Sequence, residues 1–319
     1  MKQNPKPALL AVAFAAIIFL QLSASAQVDG PLTLHRRQPS ADSIQIDVNM
    51  VLVNASVTDA YGHPVPNLEK KNFRLFEDNV EQEILTFSTE DVPASVGLLF
   101  DTSESMSDKM VASRHAVAQF LQKSNPKDEF FLISFNNRPD LNSPFTSDIE
   151  QLQERTISLK PRGRTALLDA IYLGVAQMKS ARHDRHILLV ISDGGDNHSR
   201  HHETEIRNLL RESDCQLYAL GIFDAHDMSR TTEEREGPGL LSELAEMTGG
   251  HVFQAAGVRE LLDLSGKIGT ELRSQYIIGY KSSDPHHDGG WRRIKVSLAP
   301  SNSRPLMAHA RTGYYSPRD

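Results

Sequence analysis

The strongest constraint on the fold is an alternation, from about residue 93 onward, of short apolar strands with segments of helical periodicity. Such alternation is typical of a mostly parallel sheet covered by helices. The strands are apolar throughout, which indicates a sheet buried on both faces. We therefore expect an α/β fold with a Rossmann-like, doubly wound sheet. The predicted strands are 95–100, 130–135, 186–192, 216–222 and 251–253, and the predicted helices are 108–123, 149–158, 166–181, 203–213, 240–248 and 258–274.

The region before this sheet, residues 44–92, has the two-residue period of β-structure. Apolar side chains hold the even positions from Ile44 to Met50 and the odd positions from Val51 to Val57. A regular strand cannot change phase, so we expect a bulge or a break near Met50 and Val51. A hairpin around Asp78-Asn79 is expected next.

The chain after the last predicted helix also carries strand patterns, at 276–280, 291–298 and 306–310. Neither terminal region is large enough to bury a core comfortably by itself. We expect residues 284–315 to fold back and pair with 44–87 as a small β-sandwich. The alternative is that the tail only extends the edge of the main sheet.

The first residues predict export. Lys2 and Lys6 precede an apolar run that ends in Ala24-Ser25-Ala26, as in a cleavable secretory signal. The run is shorter than a bilayer-spanning helix needs, although an uncleaved anchor is the alternative. We expect a periplasmic or extracellular protein with no stable membrane span after cleavage. The predicted divisions are a signal peptide (1–26), a flexible leader (27–43), an N-terminal β-region (44–92), the α/β domain (93–275) and a C-terminal β-segment (276–319).

Charge and cysteine content exclude some classes of partner and bond. The formal net charge is -7, which argues against nucleic acid or an anionic membrane surface as the partner. Cys215 is the single cysteine, so no intrachain disulfide can form. Its apolar surroundings predict a buried thiol.

Oxygen-bearing side chains lie where two predicted strands end and a helix begins. Asp101, Ser103 and Ser105 alternate directly after one strand, Asp193 follows another, and Thr165 opens a helix. The carboxyl ends of parallel strands share one sheet edge, where such folds place their ligands. A sulfur-free set of hydroxyls and carboxylates suits Mg²⁺ or Mn²⁺ rather than Zn²⁺. Taken singly, the serines and the threonine could be helix caps, and Asp193-Gly194 an ordinary turn.

This pattern resembles the metal-ion-dependent adhesion site of von Willebrand factor type A and integrin inserted domains, over residues 93–275. The resemblance implies that Ser103 and Ser105 bind the metal directly, Thr165 directly or through water, and Asp101 and Asp193 largely through waters and hydrogen bonds. Asp108 stands where integrin β-subunits place part of a second ion site, but the neighbouring acid there is Lys109 here. We therefore interpret Asp108 as N-terminal helix charge. The matching segments are Asp101-x-Ser103-x-Ser105, Gly163-Arg164-Thr165-Ala166-Leu167 and Asp193-Gly194.

Nearly the whole mature chain also resembles an exported bacterial subfamily described as acidobacterial von Willebrand factor A-related proteins. This similarity rests on Val57-Thr58-Asp59, on 62–68, 72–73 and 76–78, and on 276–280 and 311–315.

Three function classes follow from this interpretation. The first is an adhesion or assembly module that captures an Asp or Glu side chain of a protein partner through the metal, since mostly neutral hydroxyl ligands leave the ion under-neutralised. The second is a Mg²⁺-dependent hydrolase or phosphoryl-transfer enzyme, for which Ser103 stands where a second carboxylate is wanted. The third is a structural scaffold with an unused site. The histidines at 198, 201 and 202 are interpreted as a polar surface loop rather than a transition-metal site.

Overall fold

The computed structural model of the protein describes residues 50–222, 232–255, 258–299 and 305–318. They lie in one compact unit, Ile46–Asp319. The predicted signal peptide, the leader and strand positions 44–49 lie outside the described residues. So does part of the phase change expected near Met50. No helix in the described ranges is long and apolar enough to cross a membrane.

The described residues contain fourteen strands and six α-helices, and the helices all lie between β5 and β11. The strands are β1 (Met50–Asp59), β2 (Phe73–Glu77), β3 (Val80–Gln82), β4 (Ile84–Ser88), β5 (Ala94–Asp101), β6 (Glu129–Phe135), β7 (Pro139–Thr146), β8 (Arg185–Ser192), β9 (Cys215–Ile222), β10 (Val252–Ala255), β11 (Tyr276–Lys281), β12 (Trp291–Leu298), β13 (Leu306–Ala310) and β14 (Gly313–Tyr315). The helices are α1 (Met110–Lys123), α2 (Ile149–Ser158), α3 (Leu167–Met178), α4 (Glu203–Glu212), α5 (Thr232–Thr248) and α6 (Val258–Arg273).

The central sheet has the strand order β10-β9-β8-β5-β6-β7. All pairings are parallel except that of β6 with β7. Every residue of β5, β6 and β9 is buried, because helices cover both faces. One core cluster joins α1 and α6 to the sheet, and a second joins α3, α4 and α5 to the opposite face. The predicted doubly wound α/β fold is therefore confirmed.

Strand β7 is absent from the sequence-based prediction. It pairs antiparallel with β6 at the edge of the sheet, with irregular register. Its sequence, PDLNSPFT, begins with proline and is largely polar, and only Ser143 in it is fully buried. An edge strand needs neither an unbroken row of hydrogen bonds nor two apolar faces. Its sequence therefore lacks the pattern that marks the inner strands.

The remaining strands form two antiparallel sheets, ordered β13-β1-β11-β4 and β14-β12-β2-β3. Each sheet combines strands from both ends of the described chain, since β1 pairs with β11 and β13, and β12 pairs with β2. Val53, Ala55 and Val57 of one sheet pack with Phe73 and Leu75 of the other in a single buried cluster. The tail thus builds a β-sandwich with the N-terminal strands instead of extending the central sheet.

Candidate metal site

Three loops meet at the carboxyl edge of the central sheet. Strands β5 and β8 are neighbours in the sheet, so the loops that follow Asp101 and Ser192 leave it side by side. The third loop joins α2 to α3. Backbone hydrogen bonds tie it to the first, since Arg162 N donates to Thr102 O at 2.8 Å and Glu104 N donates to Gly163 O at 3.0 Å. This edge is where parallel α/β sheets hold their ligands.

Asp101 is the innermost of the predicted site residues, with no exposed surface. Its Oδ1 accepts a hydrogen bond from Ser103 N at 2.8 Å, and its Oδ2 accepts one from Ser192 Oγ at 2.6 Å. Burial, and then the negative charge of Asp193, raise the pKa of the Asp101 carboxyl to about 7. Two carboxyl groups therefore lie near each other where little water reaches them, and a cation between them stabilises their negative charges.

In front of Asp101, three further side chains form a continuous chain of oxygen atoms. Ser103 Oγ lies 3.0 Å from Ser105 Oγ, and Ser105 Oγ donates to Asp193 Oδ1 at 3.0 Å. Neighbouring ligands in an octahedral Mg²⁺ shell, with bonds of about 2.1 Å, lie about 3 Å apart. The spacing and the hard oxygen chemistry of this set both fit such an ion.

Thr165 lies on the adjoining loop and is almost completely buried. Its backbone N–H donates to Asn197 Oδ1 at 2.9 Å, and its carbonyl oxygen accepts from the N–H groups of Asn197 and His198. The loop after β8 therefore fixes the start of α3. The structure joins Asp101, Ser103, Ser105 and Asp193 through hydrogen bonds, and it places Thr165 on the adjoining loop, which backbone hydrogen bonds tie to the loop after Asp101.

Two glycines allow the loops to pack this closely. Gly163 has a backbone φ of +73°, which residues other than glycine rarely adopt. A Cβ there would also lie 2.7 Å from Asn137 Oδ1. Gly237 of α5 brings the helix backbone against the loop that carries Asp193. A Cβ on it would lie 2.4 Å from the carbonyl carbon of Gly194.

Sequence reasoning missed three residues that position the site. Lys109 Nζ lies 2.6 Å from Asp193 Oδ2 and donates to Ser105 O at 3.3 Å. Ser192 orients Asp101, and Asn197 holds Thr165. The four-residue interval from Ser105 to Lys109 could have indicated that the lysine lies near the site, because residues with this spacing meet across one helical turn. Asn197 has no comparable local pattern, since its contact joins two loops distant in sequence.

The histidine-containing loop after β8 has a structural contact of its own. His201 Nδ1 lies 2.7 Å from Asp169 Oδ1, and its ring stacks on Tyr172 with 4.0 Å between centroids. Asp169 Oδ1 also accepts from the N–H groups of Arg200 and His201. These hydrogen bonds lower the pKa of Asp169 against the opposing effect of burial. Asp169 and His201 thus join α3 to the segment that leads into α4.

Residues 96–195 match the family model of the von Willebrand factor type A domain. This range contains all five predicted site residues. No curated protein matches the chain.

Several solved structures are similar to parts of the chain at low sequence identity. A von Willebrand factor type A protein from Catenulispora acidiphila is 12% identical, with 77% of this chain and 74% of that chain covered and a TM-score of 0.50. BatB from Bacteroides thetaiotaomicron is 18% identical, with coverages of 57% and 100% and a TM-score of 0.45. The vWF domain of the type V pili tip protein Mfa5 from Porphyromonas gingivalis is 14% identical, with coverages of 56% and 95% and a TM-score of 0.46.

The sheet order, the helices on both of its faces and the family match agree on the central part of the molecule. Residues 96–195 therefore match a von Willebrand factor type A domain, and they lie within a doubly wound α/β fold that is flanked by a β-sandwich built from both ends of the described chain.

Proposed function

We propose that the protein is an exported adhesion or assembly module that captures an Asp or Glu side chain of a protein partner through Mg²⁺ or Mn²⁺. The observation that carries this proposal is the convergence of Ser103 Oγ, Ser105 Oγ and Asp193 Oδ1 at 3.0 Å intervals beside the buried Asp101. Thr165 on the adjoining loop is proposed as the fifth site residue. The secretory pattern of residues 1–26 supports export.

Each residue has a separate task in this proposal. Ser103 and Ser105 supply neutral hydroxyl oxygens, which bind a cation without cancelling its charge. Asp101 lies behind them and fixes Ser103 through a hydrogen bond to its backbone N–H. Asp193 adds negative charge and orients Ser105. A divalent ion held mainly by neutral ligands keeps enough charge to attract a carboxylate from outside the protein.

The donor set favours binding over catalysis. For metal-assisted hydrolysis we would expect a base near the attacking water or a further carboxylate at position 103, in addition to Asp101 and Asp193. At the middle of the Asp101-x-Ser103-x-Ser105 motif that position is a serine, whose hydroxyl is already in contact with Ser105. A scaffold with an unused site is the remaining alternative, and metal titration separates it from the proposal.

Calorimetric titration with Mg²⁺ tests the proposed site. Ser103→Ala and Thr165→Ala each remove one oxygen donor, so we expect each to weaken binding by roughly tenfold or more, at about 1.4 kcal/mol per tenfold. Circular dichroism should show that both variants stay folded.

Ser107→Ala is the matched control for this titration. Ser107 belongs to the same loop, but it is exposed and its hydroxyl donates to the Glu104 carbonyl oxygen at 2.6 Å. The control should bind Mg²⁺ like the wild type. Unchanged Mg²⁺ binding in both Ser103→Ala and Thr165→Ala contradicts the site assignment, and no binding by the wild type contradicts the proposal as a whole.

A further inference from the structure

Lys109 places a positive charge inside the proposed metal site. Its ammonium group lies 2.6 Å from Asp193 Oδ2, and the two side chains are 25% and 5% exposed. It also donates to Ser105 O at 3.3 Å. Two of the proposed site residues are therefore in direct contact with a lysine.

The position of Lys109 in the fold does not favour a cation by itself. Lys109 is the N-cap residue of α1, and the positive end of the helix dipole destabilises a nearby positive charge. The oxygen atoms that accept hydrogen bonds from its ammonium group belong to Asp193 and to the carbonyl group of Ser105. Attraction to Asp193 thus outweighs the repulsion from the helix.

An ammonium group and a divalent ion compete for the negative charge of Asp193. The Asp193 carboxylate already accepts from Ser105 at Oδ1 and from Lys109 at Oδ2. A second cation beside the same carboxylate is repelled by the ammonium, and this repulsion is strong where little water screens the charges. The lysine must therefore leave Asp193 before a metal ion can use that carboxylate fully.

We infer that Lys109 is a tethered cation that competes with the divalent ion for Asp193 and thereby limits how tightly the site binds metal. The inference rests on the proposed function, since it assigns a control on the same site. Lys109 neutralises Asp193 when the metal ion is absent, and it turns outward when the ion binds. Metal binding and the position of this side chain are then coupled.

The first test compares Mg²⁺ affinity by calorimetry in the wild type and in Lys109→Met, which keeps the length of the side chain and removes its charge. We expect the variant to bind Mg²⁺ tighter by roughly tenfold or more, because a charge-assisted hydrogen bond no longer has to be broken. Lys123→Met is the matched control. It removes the same charge from the last turn of α1, about 20 Å away at 1.5 Å per residue, and should bind Mg²⁺ like the wild type.

The second test follows Lys109 in the wild-type chain, so that it does not depend on the folding of a variant. Acylation of lysine amines is read by mass spectrometry with chelator and with Mg²⁺. We expect Mg²⁺ to raise the labelling of Lys109 severalfold and to leave that of Lys123 unchanged.

The outcomes separate the inference from the proposed function. If the wild type binds Mg²⁺ but Lys109→Met binds it no tighter, or Lys109 labelling does not rise, the competition is wrong and the metal site stands. If neither protein binds Mg²⁺, both the inference and the proposed function are wrong.

Discussion

Glu271 buries a carboxyl group between the α/β domain and the sandwich. The side chain, on α6, has no exposed surface. Ser56 Oγ of strand β1 donates to its Oε1 at 2.7 Å, whereas Oε2 has no hydrogen-bond partner in the described structure and lies 3.4 Å from His251 Nε2. Burial raises the pKa of Glu271 to about 7, against the lowering effect of hydrogen bonds from Ser56 and Tyr218.

This burial predicts a loss of stability as the pH rises. A glutamate side chain in water has an ordinary pKa of 4.5, so between pH 4.5 and about 7 the unfolded chain loses the proton while the folded chain keeps it. The protonated Glu271 therefore contributes about 3 kcal/mol to the stability of the wild type. This contribution is fully present below pH 4.5 and is lost above pH 7. Glu271→Gln has no proton to lose at this position. As the pH rises from 4.5 to 7, its free energy of unfolding should therefore increase by about 3 kcal/mol relative to that of the wild type.

Urea unfolding at pH 4.5, 6 and 8 measures this difference. His251, whose pKa burial lowers to about 3, and its neighbour His309 are present in both proteins, so the effect of their own burial is common to the two pH profiles. Tyr218 keeps its proton throughout, because burial raises its pKa well above the ordinary value. A difference between wild type and Glu271→Gln that is the same at all three pH values contradicts the account.

At the same scale, the sequence identifies the proposed metal-site residues but not the contacts among them. Asp101, Ser103 and Ser105 stand out because they alternate directly after an apolar strand, and the order of the strands places Asp193 near them. The contact of Lys109 with Asp193 depends on how two loops face each other. Residue spacing within one segment does not determine that arrangement.

At the scale of elements, helix α5 sets the position of the Asp193 loop through Gly237. A Cβ at this position would lie 2.4 Å from the carbonyl carbon of Gly194. The three nearest atoms all belong to the backbone of Gly194 and Gly195, so no side chain can rotate away to make room. We expect Gly237→Ala to displace the loop and to weaken Mg²⁺ binding severalfold.

Gly239→Ala is the control within the same helix. A Cβ at Gly239 has no heavy atom within 4 Å, so this substitution should gain the helix propensity of alanine and leave Mg²⁺ binding unchanged. Calorimetry and thermal unfolding of both variants test the pair. Equal Mg²⁺ affinities in the two variants contradict the assigned role of Gly237.

The elements themselves follow from local patterns to different degrees. Helix α2 has the predicted bounds, Ile149–Ser158, because its apolar period and its Asp148 cap are both local. Helix α5 begins at Thr232, well before the predicted residue 240, since its first turns contain glycine and Pro238 instead of an apolar stripe. Strand β7 is polar, and only its pairing at the sheet edge makes it a strand.

For the whole molecule, both chain ends are needed for the sandwich. Strand β12 lies between β14 and β2, and β13 covers the edge of β1. The tail also contacts the α/β domain, where Arg311 Nη1 donates to Asp214 Oδ1 at 2.8 Å and Thr312 N donates to Met247 O at 3.1 Å. The sequence predicts this arrangement because neither end has enough strands for a core. The boundaries at residues 92/93 and 275/276 remain predictions.

Deleting residues 284–319 removes β12, β13 and β14. We expect limited proteolysis to cleave residues 50–88 rapidly in the truncated protein, because their buried apolar faces lose their cover. The α/β domain should resist protease and keep its affinity for Mg²⁺. If residues 50–88 are as protected as in the full chain, the shared sandwich is not what stabilises them.

The most direct test of the central claim is capture of a partner with and without the divalent ion. Immobilised wild-type protein is incubated with secreted and envelope fractions in chelator, and again after Mg²⁺ is restored, with Ser103→Ala and Ser107→Ala in parallel. We expect the wild type and Ser107→Ala to retain a partner only with Mg²⁺, and Ser103→Ala to retain none. Capture that persists in chelator, or that survives Ser103→Ala, places partner binding on another surface and contradicts the claim.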